Sequence, residues 1–426
     1  MKYGSLFLAC AVFVGCGDDD TLPILDAGTI DSGAGDSGAD PDAGNDSGPE
    51  LDTGPECEAG EVPLGRGEHS MIYDTRRDRL VAYGGTVAFP EMCRPRYEYT
   101  DEIWVFDAVC GTWRQNTPTI GGPGRRARQA MVHDAAGDRA IAFGGRTHQG
   151  GESFRNYADI YTLDLETMAW TELFPVGDTP PARSHAAMVF DEANNRLVIF
   201  GGNSGGNVFM PVVSNDTWEY DLETNIWTEL APARSPSGRY GHAFTRVDRT
   251  MYIFGGTAGA FANDVWAFDL DTNEWTPVSG GGPDSPPTRF GAALFDDDDG
   301  GLIMALGHDA TDLGNINDLW RLDLTSATWT ELHRGDVLNS MANAICDFPA
   351  DFTTPDLDGP ERRNFQGYAA GDGRAFISFG KTDCGNANDV WAVDFTTPEW
   401  ALVGSTTTSG EACNRSGRED CTSLCF

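Results

Sequence analysis

The chain has 426 residues, with 66 acidic and 29 basic side chains and a formal net charge of −37. A body this acidic has no electrostatic footprint for nucleic acid and favours solubility outside a cell. Beyond the N-terminal segment no stretch approaches ~18 consecutive apolar residues, so no transmembrane helix is expected.

The first element is Met1-Lys2, an apolar run from Leu6 to Val14, and then Gly15-Cys16-Gly17-Asp18. A short charged start, an apolar core of secretory length and a small residue before Cys resemble a bacterial lipoprotein signal. The resemblance implies a signal peptide at 1–15 and a lipid on Cys16, with an ordinary cleaved signal as the alternative. Residues 17–56 hold twelve acidic and no basic residues among Gly, Ser and Pro. Such a segment cannot bury enough apolar surface to offset its ordering entropy, so 16–56 is expected to be an extended, disordered spacer. These features place the chain in the bacterial cell envelope, exported and lipid-anchored at the outer membrane or cell surface, with the lipid as its only membrane contact.

From residue 57 onward the chain repeats. Asn-Asp-x-Trp-x-x-Asp-x5-Trp occurs at Asn215, Asp216, Trp218, Asp221, Trp227 and at Asn263, Asp264, Trp266, Asp269, Trp275. It returns at Asn317, Asp318, Trp320, Asp323, Trp329 and at Asn388, Asp389, Trp391, Asp394, Trp400. Two looser copies come first, Asp101, Trp104, Asp107, Trp113 and Asp159, Tyr161, Asp164, Trp170. In all six, the second Asp and the final Trp are six residues apart, which marks one supersecondary unit used six times. Each unit has an earlier half, an apolar stretch ending in a glycine doublet: Gly84-Gly85, Gly144-Gly145, Gly201-Gly202 and Gly255-Gly256. Units five and six carry Leu306-Gly307 and Phe379-Gly380 there instead. Upstream stands an Arg: Arg66, Arg126, Arg183, Arg239, Arg289, and either Arg362 or Arg363. Every unit therefore reads as four short strands, A to D, separated by turn residues. The Asp that opens each C–D turn is expected to accept backbone N–H groups ahead of it and fix the hairpin.

This pattern resembles the kelch repeat. The resemblance implies an all-β fold, a six-bladed kelch-type β-propeller with four antiparallel strands per blade. The propeller would span 57–403, with a Cys-containing tail at 404–426. Its body, 57–426, has 54 acidic and 28 basic residues, and Lys381 is its only Lys. In such a blade the B–C loops and D–A links share one face, and the A–B and C–D hairpins share the other. The 30-residue step from Leu332 to Arg362, with Met341 and Ile345, is expected to hold one or two helical turns above the B–C face.

Eight cysteines follow Cys16, and an even number in an exported chain suggests disulfides. Cys346 and Cys384 are expected to share a neighbourhood. Cys57 and the tail cysteines, Cys413 among them, flank the ring and are placed to staple it; the partner of Cys110 stays open. No C-x2-C pair is present, so no metal site is expected.

Catalytic motifs are scarce, and no cofactor is implied. His69, His185 and His242 follow the repeat Arg and read as structural; His133 reads as packed in strand A. Gly280-Gly281-Gly282 leads into no helix, so a phosphate loop is unsupported. Copper oxidases related to galactose oxidase also carry kelch repeats, but their Cys–Tyr site has no counterpart here. Asp296 to Asp299 reads as an acidic A–B hairpin tip.

Arg and aromatic residues gather in the B–C loops of the first blades: Arg94, Arg96, Tyr97, Tyr99, Arg146, Arg155 and Tyr157. These residue types are enriched at binding hot spots, so they form the candidate ligand-binding set. The sequence thus points to a surface-anchored binding module for a protein or an acidic glycan. The alternative is an exported carbohydrate-modifying enzyme resembling the kelch sialic-acid epimerases, a mutarotase. A channel-mouth pocket of convergent Arg, His and carboxylate would favour the enzyme; a broad Arg and aromatic patch would favour the binder.

Overall fold

The computed structural model describes residues 57–88, 97–116, 121–207, 209–282, 284–309, 314–339, 353–354, 356, 358–382, 385–395, 397 and 399–404. The signal and Cys16, the spacer, Arg94, Arg96, Cys93, Cys346, Cys384 and the tail with Cys413 lie outside these residues. The described residues form six four-stranded antiparallel sheets, each from one contiguous stretch of sequence. Sheet three is typical: Ala187–Asp191, Arg196–Phe200, Thr217–Asp221 and Ile226–Leu230 pair in sequence order. Its first two strands are buried throughout, because both of their faces pack against neighbouring sheets. The turn Asp works as its chemistry predicts. Asp221 Oδ1 accepts the N–H groups of Glu223 (2.8 Å) and Thr224 (2.9 Å), and Asp107, Asp164, Asp269 and Asp323 repeat the contact.

The sheets close into a β-propeller. Their A strands touch in cyclic order, and the first, Ser70–Asp74, meets the last, Gly367–Gly371. One hydrogen bond recurs around the ring. The second residue of each doublet donates its N–H to the carbonyl of the next repeat Arg, from Gly85 to Arg126 (2.9 Å) round to Gly380 and Arg66 (2.7 Å). Here a side chain has no room: a Cβ on Gly85 would lie 2.7 Å from the Gly67 carbonyl. The first doublet position is as tight at its glycines, a Cβ on Gly84 lying 2.6 Å from the Arg126 carbonyl, yet two blades carry a side chain there. Leu306 (φ 62°) and Phe379 (φ 56°) take the same left-handed conformation as the glycines, at a cost of about 1–2 kcal/mol each. Phe379 has a clear use for its ring, which stacks 5.0 Å from Trp113 across the seam between the last and first blades.

The repeat Arg and the Asn-Asp motif form one clamp. Arg183, Arg239 and Arg289 are buried and grip Asp216, Asp264 and Asp318 through both terminal guanidinium nitrogens, Nη1 and Nη2. The motif Trp donates its indole N–H to the same carboxylate, at 2.8 Å in Trp218, Trp266, Trp320 and Trp391. The Arg also donates to the first carbonyl of the doublet, 2.9 Å from Arg183 to Gly201. One buried cation therefore satisfies a carboxylate and a strand end together, which its planar fork permits and a Lys would not. Arg363, paired with Asp389, takes this role in blade six, which settles the choice between Arg362 and Arg363. Each final Trp is buried against the end of strand B of the preceding blade. Trp170 meets Tyr83 (4.8 Å), Trp227 meets Phe143 (5.3 Å) and Trp275 meets Phe200 (4.8 Å).

One expectation is revised. Cys57 is bonded to Cys110, Cα–Cα 5.5 Å, rather than to the tail. The segment after Cys57 lies along strand D of blade one, Glu61 N–H donating to the Trp113 carbonyl (2.8 Å), and this brings Cys57 beside the C–D turn. In the step before blade six, Val337–Leu338 forms a short ladder with Thr353–Thr354, and Met341 and Ile345, where a helical turn is expected, lie outside the described residues.

Candidate binding face at the channel mouth

The residue two places after each repeat Arg sits on the channel. These are Glu68, Arg128, His185, Gly241, Gly291 and Phe365, all with left-handed φ between 49° and 67°. At five of the six the conformation turns the N–H to a carbonyl of the neighbouring blade. Arg128 donates to the Glu68 carbonyl (2.8 Å), His185 to Arg128 (3.0 Å), Gly291 to Gly241 (2.8 Å), Phe365 to Gly291 (3.1 Å) and Glu68 to Phe365 (2.9 Å). The result is a hydrogen-bonded collar. Four of its six members are not glycine, and strain of this kind persists where the surroundings over-determine it and a side chain is needed at that place.

Those side chains build a cationic pocket. Glu68 is 2% exposed. Its carboxylate accepts from Arg128 Nη2 (2.6 Å) and from Lys381 Nζ, and Arg146 Nη2 stands 4.0 Å away. Burial alone would raise the Glu68 carboxyl, but Arg128, Lys381 and Arg146 together hold it well below the usual range. Burial lowers Lys381, with Glu68 opposing and Arg128 assisting. Arg128 also reaches His185 Nε2, and burial with the Arg128 and Arg146 charges keeps His185 neutral, well below an ordinary His. Three cations thus surround one anion on an otherwise acidic body.

Aromatic rings pack against these cations. Arg146 lies 3.8 Å from the centroid of Phe154, and Arg128 lies 4.5 Å from that of Phe365. Tyr97 packs against His148 (4.7 Å), Phe154 (5.1 Å) and Tyr99 (6.2 Å). The hairpin of Arg146–Gly150 and Ser153–Asn156 continues into the blade-three loop, Phe154 N–H donating to the Gly206 carbonyl (2.8 Å). On that loop Phe209 and Met210 are 78% and 72% exposed.

Comparison with known proteins agrees with this architecture. The chain matches the KLHDC2/KLHL20/DRC7 Kelch-repeats domain over residues 53–175 and 135–342. It belongs to the kelch-repeat family. The kelch region is 29% identical over 210 residues to rat host cell factor 1, covering 46% of this chain and 10% of that protein. It is 33% identical over 192 residues to acyl-CoA-binding domain-containing protein 5 of Arabidopsis thaliana, covering 44% and 26%. Human host cell factor 2 is 26% identical over 210 residues, covering 46% and 25%. The match therefore spans about a quarter or less of the length of these relatives.

Of the residues singled out in the sequence, the kelch fold brings Tyr97, Tyr99 and Arg146 together beside the Glu68 cluster. Tyr157 is turned into blade two, its hydroxyl 3.1 Å from Thr147 Oγ1 and its ring under Arg126 (4.1 Å). Arg155 is exposed and stacks on Tyr157 at 5.0 Å. The three histidines are not equivalent. His69 and His242 are wedged between blades, next to Phe379 and Phe200, whereas His185 stands one place earlier in its repeat and faces the pocket. His133 is half-buried rather than packed. Glu68, Arg128, His185 and Lys381 escaped the sequence reading as site residues. Counting two places on from each repeat Arg would have found the first three, and its isolation as the only Lys of the body marks the fourth.

Proposed function

We propose that this kelch propeller is a protein-binding module whose B–C face holds an acidic segment of its partner, on an exported chain anchored through Cys16. Kelch repeats suggest a protein-binding module. The observation that carries the acidic specificity is the cationic cluster lining the mouth: among the described residues, Arg128 and the buried Arg146 and Lys381 are matched by Glu68 alone. An incoming carboxylate would offset the remaining charge with charge-assisted hydrogen bonds. An acidic glycan presents the same carboxylates and is the second ligand class to assay. Convergence of Arg, His and carboxylate is also what an enzyme would show, but these groups are poorly tuned for proton transfer. General acid–base catalysis needs a group titrating near the working pH. Glu68 is held far below it by its cations, and so is His185 by burial and the two arginines.

Changing Arg96 and Arg155 to Ala is expected to abolish binding of acidic peptides selected on the wild-type propeller, with stability kept within about 1 kcal/mol, the usual range for an exposed side chain such as Arg155. Readily unfolding protein would make the arginines structural, and unchanged binding would move the site elsewhere. For the anchor, Cys16→Ser is expected to shift the protein from the membrane to the soluble exported fraction. Membrane association that survives the substitution would remove the lipid from the account.

A further inference from the structure

The opposite end of the channel carries a second site, independent of the B–C face. Tyr368 in blade six reaches across the lumen to blade four. Its hydroxyl accepts the Phe244 N–H and donates to the Phe244 carbonyl, both at 3.1 Å. Its ring meets Phe244 at 6.2 Å and Phe295, edge to face, at 5.7 Å. This aromatic partition is the ceiling of a lower chamber of about 320 Å3 that opens among the A–B hairpins. Met131, Met188 and Phe190 contribute to its walls. The size lies at the small end of the range of about 300–1,000 Å3 usual for organic ligands.

The rim of the chamber holds two carboxyls, Asp296 and the more exposed Asp298, and among the described residues neither has an Arg or Lys partner. Seven places after each repeat Arg stand Tyr73, His133, Phe190, Arg246, Asp296 and Ala370. Asp296 is half-buried, its Oδ1 accepts the Asp298 N–H (3.0 Å), and no Arg or Lys pairs with it among the described residues. Its neighbours on the ring do not compensate. The Arg246 guanidinium is turned away to Glu192 (3.2 Å) and the Asp248 carbonyl (2.9 Å), and Ala370 carries no charge. The contrast with the next position is sharp: Asp74, Asp134, Asp191 and Asp297 each hold an Arg. Burial, and then the nearby Asp298, Asp297 and Asp248, push the Asp296 carboxyl up to about 6. Perturbed groups in a cleft mark functional candidates.

We propose that this lower chamber binds a small organic cation, an ammonium group on an apolar or aromatic body. The ammonium pairs with Asp296 at the rim. The body enters between Met131, Met188 and Phe190, under aromatic faces that attract positive charge. The two channel ends then have opposite preferences, anions at the B–C mouth and cations at the other.

Calorimetric titration of the full chain with 2-phenylethylammonium, 2-phenylethanol and phenylacetate tests the assignment. Saturable binding of the ammonium is expected, at least tenfold tighter than the alcohol, with no binding of the carboxylate. Asp296→Asn, checked for an unchanged melting temperature, is expected to weaken the ammonium at least tenfold. No saturable binding of the ammonium, equal affinity for the neutral alcohol, or an unaffected Asp296→Asn protein would each overturn the proposal.

Discussion

Replacing Trp227 by Ala is expected to destabilise the propeller by about 3–5 kcal/mol, the range for removing a buried Trp or Phe side chain from a close-packed core. Trp227 is 3% exposed and lies between blades two and three, with Phe143 at 5.3 Å on one side and Tyr220 at 5.0 Å on its own blade. The surrounding cluster draws Ile141 and Ile160 from blade two and Leu197 and Ile199 from blade three, so the space left behind is bounded by two separate sheets. Collapse would have to move one blade against another, which the recurring Gly–Arg hydrogen bonds resist. Trp227→Phe should lose much less, because the indole N–H is buried without a partner and the replacement removes that unsatisfied donor. Urea unfolding of the two variants checks the claim. A cost below about 1 kcal/mol for the Ala variant would show that the ring is not held where the structure puts it.

The second large effect concerns Glu68. Glutamine there keeps the shape and removes the charge, leaving Arg128, Lys381 and Arg146 facing one another out of water. Breaking a buried ion pair by removing one partner costs about 3–5 kcal/mol, and here one carboxylate serves three cations. Lys381→Met in the same background should recover part of the loss, since it removes one uncompensated charge. The pH dependence has a definite sign. The Glu68 carboxyl is lowered in the folded protein, so its contribution is complete above its ordinary value of 4.5 and is lost as the pH falls below it. The stability gap between wild type and Glu68→Gln is therefore expected to close on acidification. A gap that stays constant from neutral pH down to acid would mean that Glu68 is not the counter-ion of this cluster.

The parts of the protein that sequence made legible are those repeated in every blade. The Asp-to-Trp interval is set within one hairpin, so Asp221 and Trp227 show their roles locally, and six copies remove the ambiguity of one. The recurring glycine doublet marks a tight backbone position in each blade. Its exceptions at Leu306 and Phe379 became intelligible only with the neighbouring blade in view, where Phe379 stacks on Trp113. The collar stayed hidden for the opposite reason. Glu68, Arg128, His185, Gly241, Gly291 and Phe365 share a conformation but no chemistry, so their equivalence leaves no trace in composition. His185 was grouped with His69 and His242 because a one-residue offset is invisible without the register. The bond between Cys57 and Cys110 depends on the path of one segment along an outer strand, which spacing does not encode.

Hydrogen exchange of the propeller, with and without a peptide selected from an acidic library, tests the binding face most directly. The account predicts slowed exchange at residues 97–100, 146–157, 203–207, 381–382 and 385–386, around the B–C mouth. Slowed exchange confined to the hairpins of the opposite face, at 135–138 and 297–300, would contradict it.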